Sequence, residues 1–176
     1  MADSKLDPNK SYGWTGKILR VNLTDGTVSV SPTDPYKGYI GGMGLANKIM
    51  YDEVAPGTDP LAPENKVVFA VGPLTATGVP LAGRTTIASL STYTKDHQVV
   101  DAHCGGMIGA KIKLAGWDAV VLEGASDHPV YLNIVDDKVE IKDAGFVWGM
   151  GTRETTEMLC RKEGVEACVA AIGPAG

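Results

Sequence analysis

The sequence is short of several things that would assign it to a common class. It has three cysteines, Cys104, Cys160 and Cys168, an odd set with no CxxC spacing. That is a poor basis for a disulfide framework and for a zinc site. Cys168 stands in the apolar run "ACVAAIG" and is expected to be buried. The net charge is −5 and no lysine or arginine cluster interrupts the chain. Nucleic acid and anionic membranes are therefore poor partners. No apolar run approaches the ~20 residues a membrane span requires. The start, "MADSKLDPNKSYGW", lacks the apolar centre of a signal peptide, so the expectation is a cytoplasmic protein with a flexible leader over residues 1–12. Neither GxGxxG nor a phosphate-binding loop ending in Gly-Lys-Ser/Thr occurs.

The abundance is in glycine and apolar residues. Glycine occurs 22 times, often paired, and hydrophobic residues make up 44% of the 176 positions. The length suits one domain with a real core. Glycines clustered at element junctions mark positive φ or close backbone approach.

Periodicity orders the chain. "GKILRVNL" and "TVSV" flank Asp25-Gly26, a hairpin signal. "GGMG" opens a helix carrying Leu45, Ile49 and Met50 at helical spacing. "KVVFAVGP" reads as a buried strand, and "GRTTIASLS" and "HQVVDAH" as two more. Gly105-Gly106 begins a helix over 107–114, ended by Ala115-Gly116. "WDAVVLEG" is a strand, and "PVYLNIV" and "KVEIKD" form a second hairpin across Asp136-Asp137. Thr152 is the expected N-cap of a helix through Lys162. "EACVAAIGP" closes the chain as a strand. Hairpin, GMG triplet (42–44, then 149–151), helix and strand ending in Gly-Pro thus occur twice in the same order. An internal duplication is the expectation, with the second copy truncated and its strand edges left unpaired. The fold class is α+β: two related mixed or antiparallel sheets. A doubly wound dinucleotide fold is disfavoured, because strands and helices do not alternate regularly.

Few residues carry chemistry. Gly105-Gly106 follows a strand and precedes a helix. Such amides can hold an anion, although a tight turn requiring small residues explains the pair equally simply and is favoured on residues alone. Arg84, after a glycine at a strand start, offers a fork for phosphate or a planar heterocycle; a surface or salt-bridged arginine is the simpler reading. His103 and Cys104 are neighbours on a strand and point to opposite faces, which discounts a Cys–His dyad. His97 and His128 lie beside loops. No catalytic residue and no metal ligand is assigned.

The stretches "GWTGKILRVNLTDGTV", "GGMGLANKIMYDEV", "DPLAPENKVVFAVGPLT", "GRTTIASLS", "GGMIGAKIKLAGWDAVVLEG" and "AAIGPAG" together resemble the N-terminal domain of the aldehyde:ferredoxin oxidoreductase family, closest to a bacterial branch of it. The resemblance covers residues 13–176 and implies a pterin-binding domain incomplete at its C-terminal end. It implies a tungsten- or molybdenum-bis-pyranopterin cofactor beside a [4Fe–4S] cluster whose ligands lie outside this chain. It places Arg84 between pterin and cluster, and "AHCGG" where family members contact a pterin, so that Gly105, with Gly106 beside it, carries over. His103 stands where asparagine is common, and its ring can still donate or accept a hydrogen bond. The implied activity is oxidation of aldehydes, or reduction of the corresponding acids, with electrons passed to a ferredoxin-like carrier. The implied partners are the remainder of the parent polypeptide, that carrier or subunit, a small aldehyde-type substrate and a second copy in a homo-oligomer. The fragment alone is expected to be inactive. The alternative is a non-catalytic scaffold or docking module.

Overall fold

The computed structural model describes residues 12–174; all but the last residue of the expected leader lies outside them. Eight strands and three helices follow in order: β1 (Lys17–Asn22), β2 (Val28–Pro32), α1 (Gly42–Glu53), β3 (Lys66–Val71), β4 (Thr85–Leu90), β5 (Val99–Cys104), α2 (Ile108–Leu114), β6 (Ala119–Glu123), β7 (Val130–Val135), β8 (Lys138–Asp143) and α3 (Thr152–Glu163). Six strands form one mixed sheet in the order β2-β1-β6-β3-β4-β5, and β7 and β8 form a separate antiparallel pair. Within the large sheet only β1 and β6 run parallel. The expected α+β class and both hairpins are present.

Strand alternation gives the large sheet two apolar faces. Ile18, Val68, Ala70, Ala88, Ala119 and Val121 face α1 and pack against its Leu45, Ala46, Ile49 and Met50. Those four positions recur at helical spacing, which is why this segment coils. Leu19, Val21, Val71 and Val120 face the other way. They meet Ile112 of α2, Trp117, and Leu132, Ile134, Val139 and Ile141 of the second hairpin. Burial on both faces explains the near-continuous apolar runs of β3 and β6.

A polar knot ties the start of the described chain to this core. The Asp118 carboxylate is fully buried. It accepts from the amides of Thr15 (3.1 Å) and Gly16 (2.9 Å), from Thr33 Oγ1 (2.7 Å) and from Lys113 Nζ (2.5 Å). Lys113 also donates to the Gly13 carbonyl at 3.0 Å. Burial alone would raise the Asp118 pKa; the bonds from Lys113, Thr15 and Thr33 outweigh it and hold the carboxyl below the usual range.

Two expectations differ from the structure. The cap of α3 is Gly151, not Thr152, because Glu154 reaches back to accept from the Gly151 amide at 2.9 Å. The run 167–173 is not a strand, since no neighbouring strand among the described residues offers it a ladder. Cys168 within it is half-buried rather than buried. The second hairpin and α3 follow the order of β1–β2 and α1, but no counterpart of β3 and no second full sheet forms among the described residues, so the expected internal duplication is not confirmed.

A glycine-lined edge as the candidate cofactor site

The register of β4 and β5 assembles the candidate residues. Thr85 pairs with Cys104, and Thr86 with His103. Arg84 immediately precedes β4 and Gly105 immediately follows β5, so the two stand at the same end of one antiparallel pair. Gly83 joins them: a Cβ built there would lie 3.8 Å from the Gly106 carbonyl oxygen. Arg84, His103, Gly105 and Gly106, far apart in sequence, therefore occupy one exposed edge.

Each contributes something specific. Arg84 is exposed and makes no ion pair or hydrogen bond among the described residues, so a salt-bridge role does not account for it. Gly106 has φ +78°, a left-handed conformation that favours glycine. Gly105 is different: its φ is not positive, and a Cβ there would meet nothing within 4 Å. Neither torsion nor crowding among the described residues requires glycine at 105. The amides of Gly105, Gly106 and Met107 donate to no protein acceptor among the described residues.

His103 is held at both nitrogens. Nε2 lies 2.8 Å from Asp101 Oδ2, and Nδ1 lies 3.1 Å from Thr86 Oγ1. Asp101 and His103 are two apart on β5 and share the α1 face with Thr86. The start of α1 closes on the same face, where a Cβ at Gly42 would sit 3.6 Å from Thr86 Oγ1. On the opposite face α2 is drawn in by Gly109, whose added Cβ would fall 2.6 Å from Thr85 Oγ1. The Thr85 hydroxyl is buried there without a partner.

The rest of "GGMG" is structural. A Cβ at Gly41 would lie 2.8 Å from the Val71 oxygen, and one at Gly44 only 2.1 Å from the Tyr39 oxygen. The loop between β3 and Arg84 exposes Leu74, Val79 and Leu81, and beyond the glycine pair Met107 is exposed as well. The edge is thus a polar, donor-rich strip beside an apolar loop.

Other features do not join it. A 960 Å³ apolar cleft lies between α2, the second hairpin, α3 and the 167–174 run, and none of the four candidates lines it. No group of three or more His, Cys, Asp or Glu suited to a metal occurs among the described residues, and none of their helices is long and apolar enough to cross a membrane. His128 pairs with its neighbour Asp127 at the surface. Sequence reading missed Thr86 and Asp101; the spacing Asp-x-His on a strand, which places both on one face, was the available signal.

Comparison with known proteins bears on what such an edge holds. Residues 18–176 match the family described as "Aldehyde ferredoxin oxidoreductase, N-terminal domain". The tungsten-containing aldehyde ferredoxin oxidoreductase of Pyrococcus abyssi is 45% identical over 168 residues, covering 94% of this chain and 27% of that protein. That of Thermococcus kodakarensis is 43% identical with the same coverage. The WOR-like subunit of the aliphatic sulfonate oxidoreductase of Pyrococcus furiosus is 35% identical over 156 residues, 86% of this chain and 24% of that one. Among solved structures, a chain of the active-site complex BamBC of benzoyl coenzyme A reductase, in complex with 1,5-dienoyl-CoA, superposes with a TM-score of 0.87 at 38% identity, covering 92% of this chain and 25% of that chain. The chain spans about a quarter of the length of the relatives it matches.

Proposed function

The chain belongs to the aldehyde ferredoxin oxidoreductase family, matching its N-terminal domain, and from that premise we propose that it is the cofactor-cradling base of a tungsten- or molybdenum-pterin oxidoreductase. The carrying observation is Gly105: nothing among the described residues requires glycine there, and it lies between His103 and Gly106 and across from Arg84, which has no partner among the described residues. A flat, donor-hungry ligand approaching bare backbone supplies the reason.

The residues present fit a pyranopterin. Its phosphate and heterocycle edges require several donors at short range, and the amides of 105–107, without acceptors among the described residues, and the Arg84 guanidinium offer them. The bound group supplies the redox chemistry; Arg84 contributes fixed positive charge that stabilises electron-rich states near it, and the glycines exclude bulk. The similarity to tungsten-containing aldehyde ferredoxin oxidoreductases supports tungsten and an aldehyde-type substrate, with electrons leaving to a ferredoxin-like acceptor. A [4Fe–4S] cluster ligated outside this chain, a cytoplasmic location and a possible homo-oligomer belong to the same proposal. So does an ancestral duplication, supported by the repeated order of hairpin and helix. The apolar loop around Leu74, Val79 and Leu81 suits a surface covered by the remainder of the parent polypeptide. A non-catalytic docking module is the weaker reading, because the matched relatives are redox enzymes.

The test uses the full-length protein produced with tungstate or molybdate. Gly105→Ala should fold and melt like the parent yet carry markedly less pterin and metal, read by fluorescence of the extracted pterin and by elemental analysis. Undiminished pterin content in Gly105→Ala and in Arg84→Ala would sink the proposal.

A further inference from the structure

The exposed edge strand β5 has one strand neighbour, and five of its six residues are exposed. An edge held from one side only is prone to fray, yet its last residues must keep the amides of 105–107 aimed at a ligand. We propose that Asp101, His103 and Thr86 form a positioning relay that fixes the end of β5, and that His103 acts through this relay rather than by donating from its ring to the cofactor. This rests on the pterin-cradle reading above.

The argument follows from donor and acceptor inventories. The Asp101 carboxylate only accepts, so the nitrogen 2.8 Å from it, Nε2, carries the proton. In the neutral ring Nδ1 is then an acceptor, and the Thr86 hydroxyl 3.1 Å away donates to it. Both nitrogens are committed inside the chain, and no ring donor remains for a ligand. An asparagine at 103 would have kept an amide donor for that purpose. The relay links β5 to β4 at the register pair Thr86–His103, on the face where α1 begins at Gly42. It thereby couples the two helix-side elements to the backbone at Gly105. Partners that orient a ligand-holding histidine typically change affinity by about 10-fold or more. The same order is expected here for a relay that orients the backbone.

In the full-length holoprotein, Asp101→Ala and Thr86→Val should each release pterin about tenfold faster on dialysis. The melting temperature of the cofactor-free protein should move by no more than about 2 °C, since a partly exposed edge contributes little to global stability. Asp101→Asn keeps an acceptor oxygen for Nε2–H and should restore retention. Retention in Asp101→Ala equal to the parent would overturn the relay. So would a loss that only follows a matching drop in apoprotein melting, or a failure of Asp101→Asn to rescue. Gly105→Ala separates the two levels. If it loses pterin while Asp101→Ala does not, the relay alone is wrong; if Gly105→Ala and Arg84→Ala both retain pterin, the cradle itself is wrong.

Discussion

Replacing Asp118 with alanine should be among the most damaging single changes away from the cofactor edge. The carboxylate is fully buried and accepts four hydrogen bonds, two from backbone amides, one from Thr33 and one from the ammonium of Lys113. Truncation strands Lys113, whose side chain is 8% exposed, as an uncompensated charge. Breaking one side of a buried ion pair costs about 3–5 kcal/mol, and the orphaned amides of Thr15 and Gly16 keep the estimate at the upper end. Lys113→Met should fall at the lower end of that range, about 3 kcal/mol, because three of the four donors to the Asp118 carboxylate survive. Urea unfolding of the 176-residue chain, followed by tryptophan fluorescence and far-UV circular dichroism, measures both. Trp14 and Trp117 flank the knot, so the optical signal reports on it directly. The depressed Asp118 pKa sets the pH sign: the folded state holds fewer protons than the unfolded one. The contribution is present above the unfolded value of about 3.9 and is lost as pH falls through the folded one. A loss below about 1 kcal/mol for Asp118→Ala, or a loss no larger than that of Lys113→Met, would refute this account of the knot.

Further outcomes follow from the same geometry. Gly109→Ala should destabilise by about 1–3 kcal/mol, because its Cβ would meet Thr85 Oγ1 at 2.6 Å and the Gly83 oxygen at 3.1 Å; Gly105→Ala should leave the denaturation midpoint unchanged. Tyr131, pushed up to about 12 by burial and by its bond to Glu163, should ionise late in an ultraviolet titration. Stability should then decline as pH rises from the ordinary tyrosine value of 10.0 toward 12, since the unfolded state releases the proton first; Tyr131→Phe should remove that slope. Glu53 accepts a two-point bond from Arg20 at 2.7 and 2.6 Å and another from Tyr36 at 3.1 Å. Glu53→Gln should therefore cost about 1–3 kcal/mol and loosen the C-terminal end of α1, visible as faster amide exchange there.

The sequence made legible whatever depends on local pattern. Asp25-Gly26 and Asp136-Asp137 mark their hairpins because turn geometry is short-range, and Gly26 indeed has φ +71° and Asp136 φ +54°. The helices over Leu45–Met50 and Ile108–Leu114 follow from apolar spacing. The grouping of Arg84 with Gly105 and Gly106 was legible only through family resemblance. Physically it is fixed by a β4–β5 register that no local signal encodes. Asp118 escaped notice for the same reason, since its partners Thr15, Gly16 and Thr33 are distant in sequence. The run "EACVAAIGP" reads as a strand by composition, yet a strand is defined by its neighbour, and none among the described residues pairs with it.

Glycine usage is the clearest route from this fold to a ligand. Gly13, Gly41, Gly44 and Gly109 are explained by collision: an added Cβ would come within 2.8 Å of a neighbouring atom. Gly26, Gly106 and Gly149 are explained by left-handed backbone with open space around them. Gly105 satisfies neither condition. Gly38, within the 3-10 turn Asp34–Tyr39, shares that status, and at Gly72, Gly83 and Gly173 an added Cβ would make only ordinary contacts. What distinguishes Gly105 is its company: the unpaired Arg84 across the strand pair, three free amides, and an imidazole locked from behind. In the proposed cradle the ligand fills the space where that Cβ would stand, so Gly105→Ala should lose pterin without losing stability.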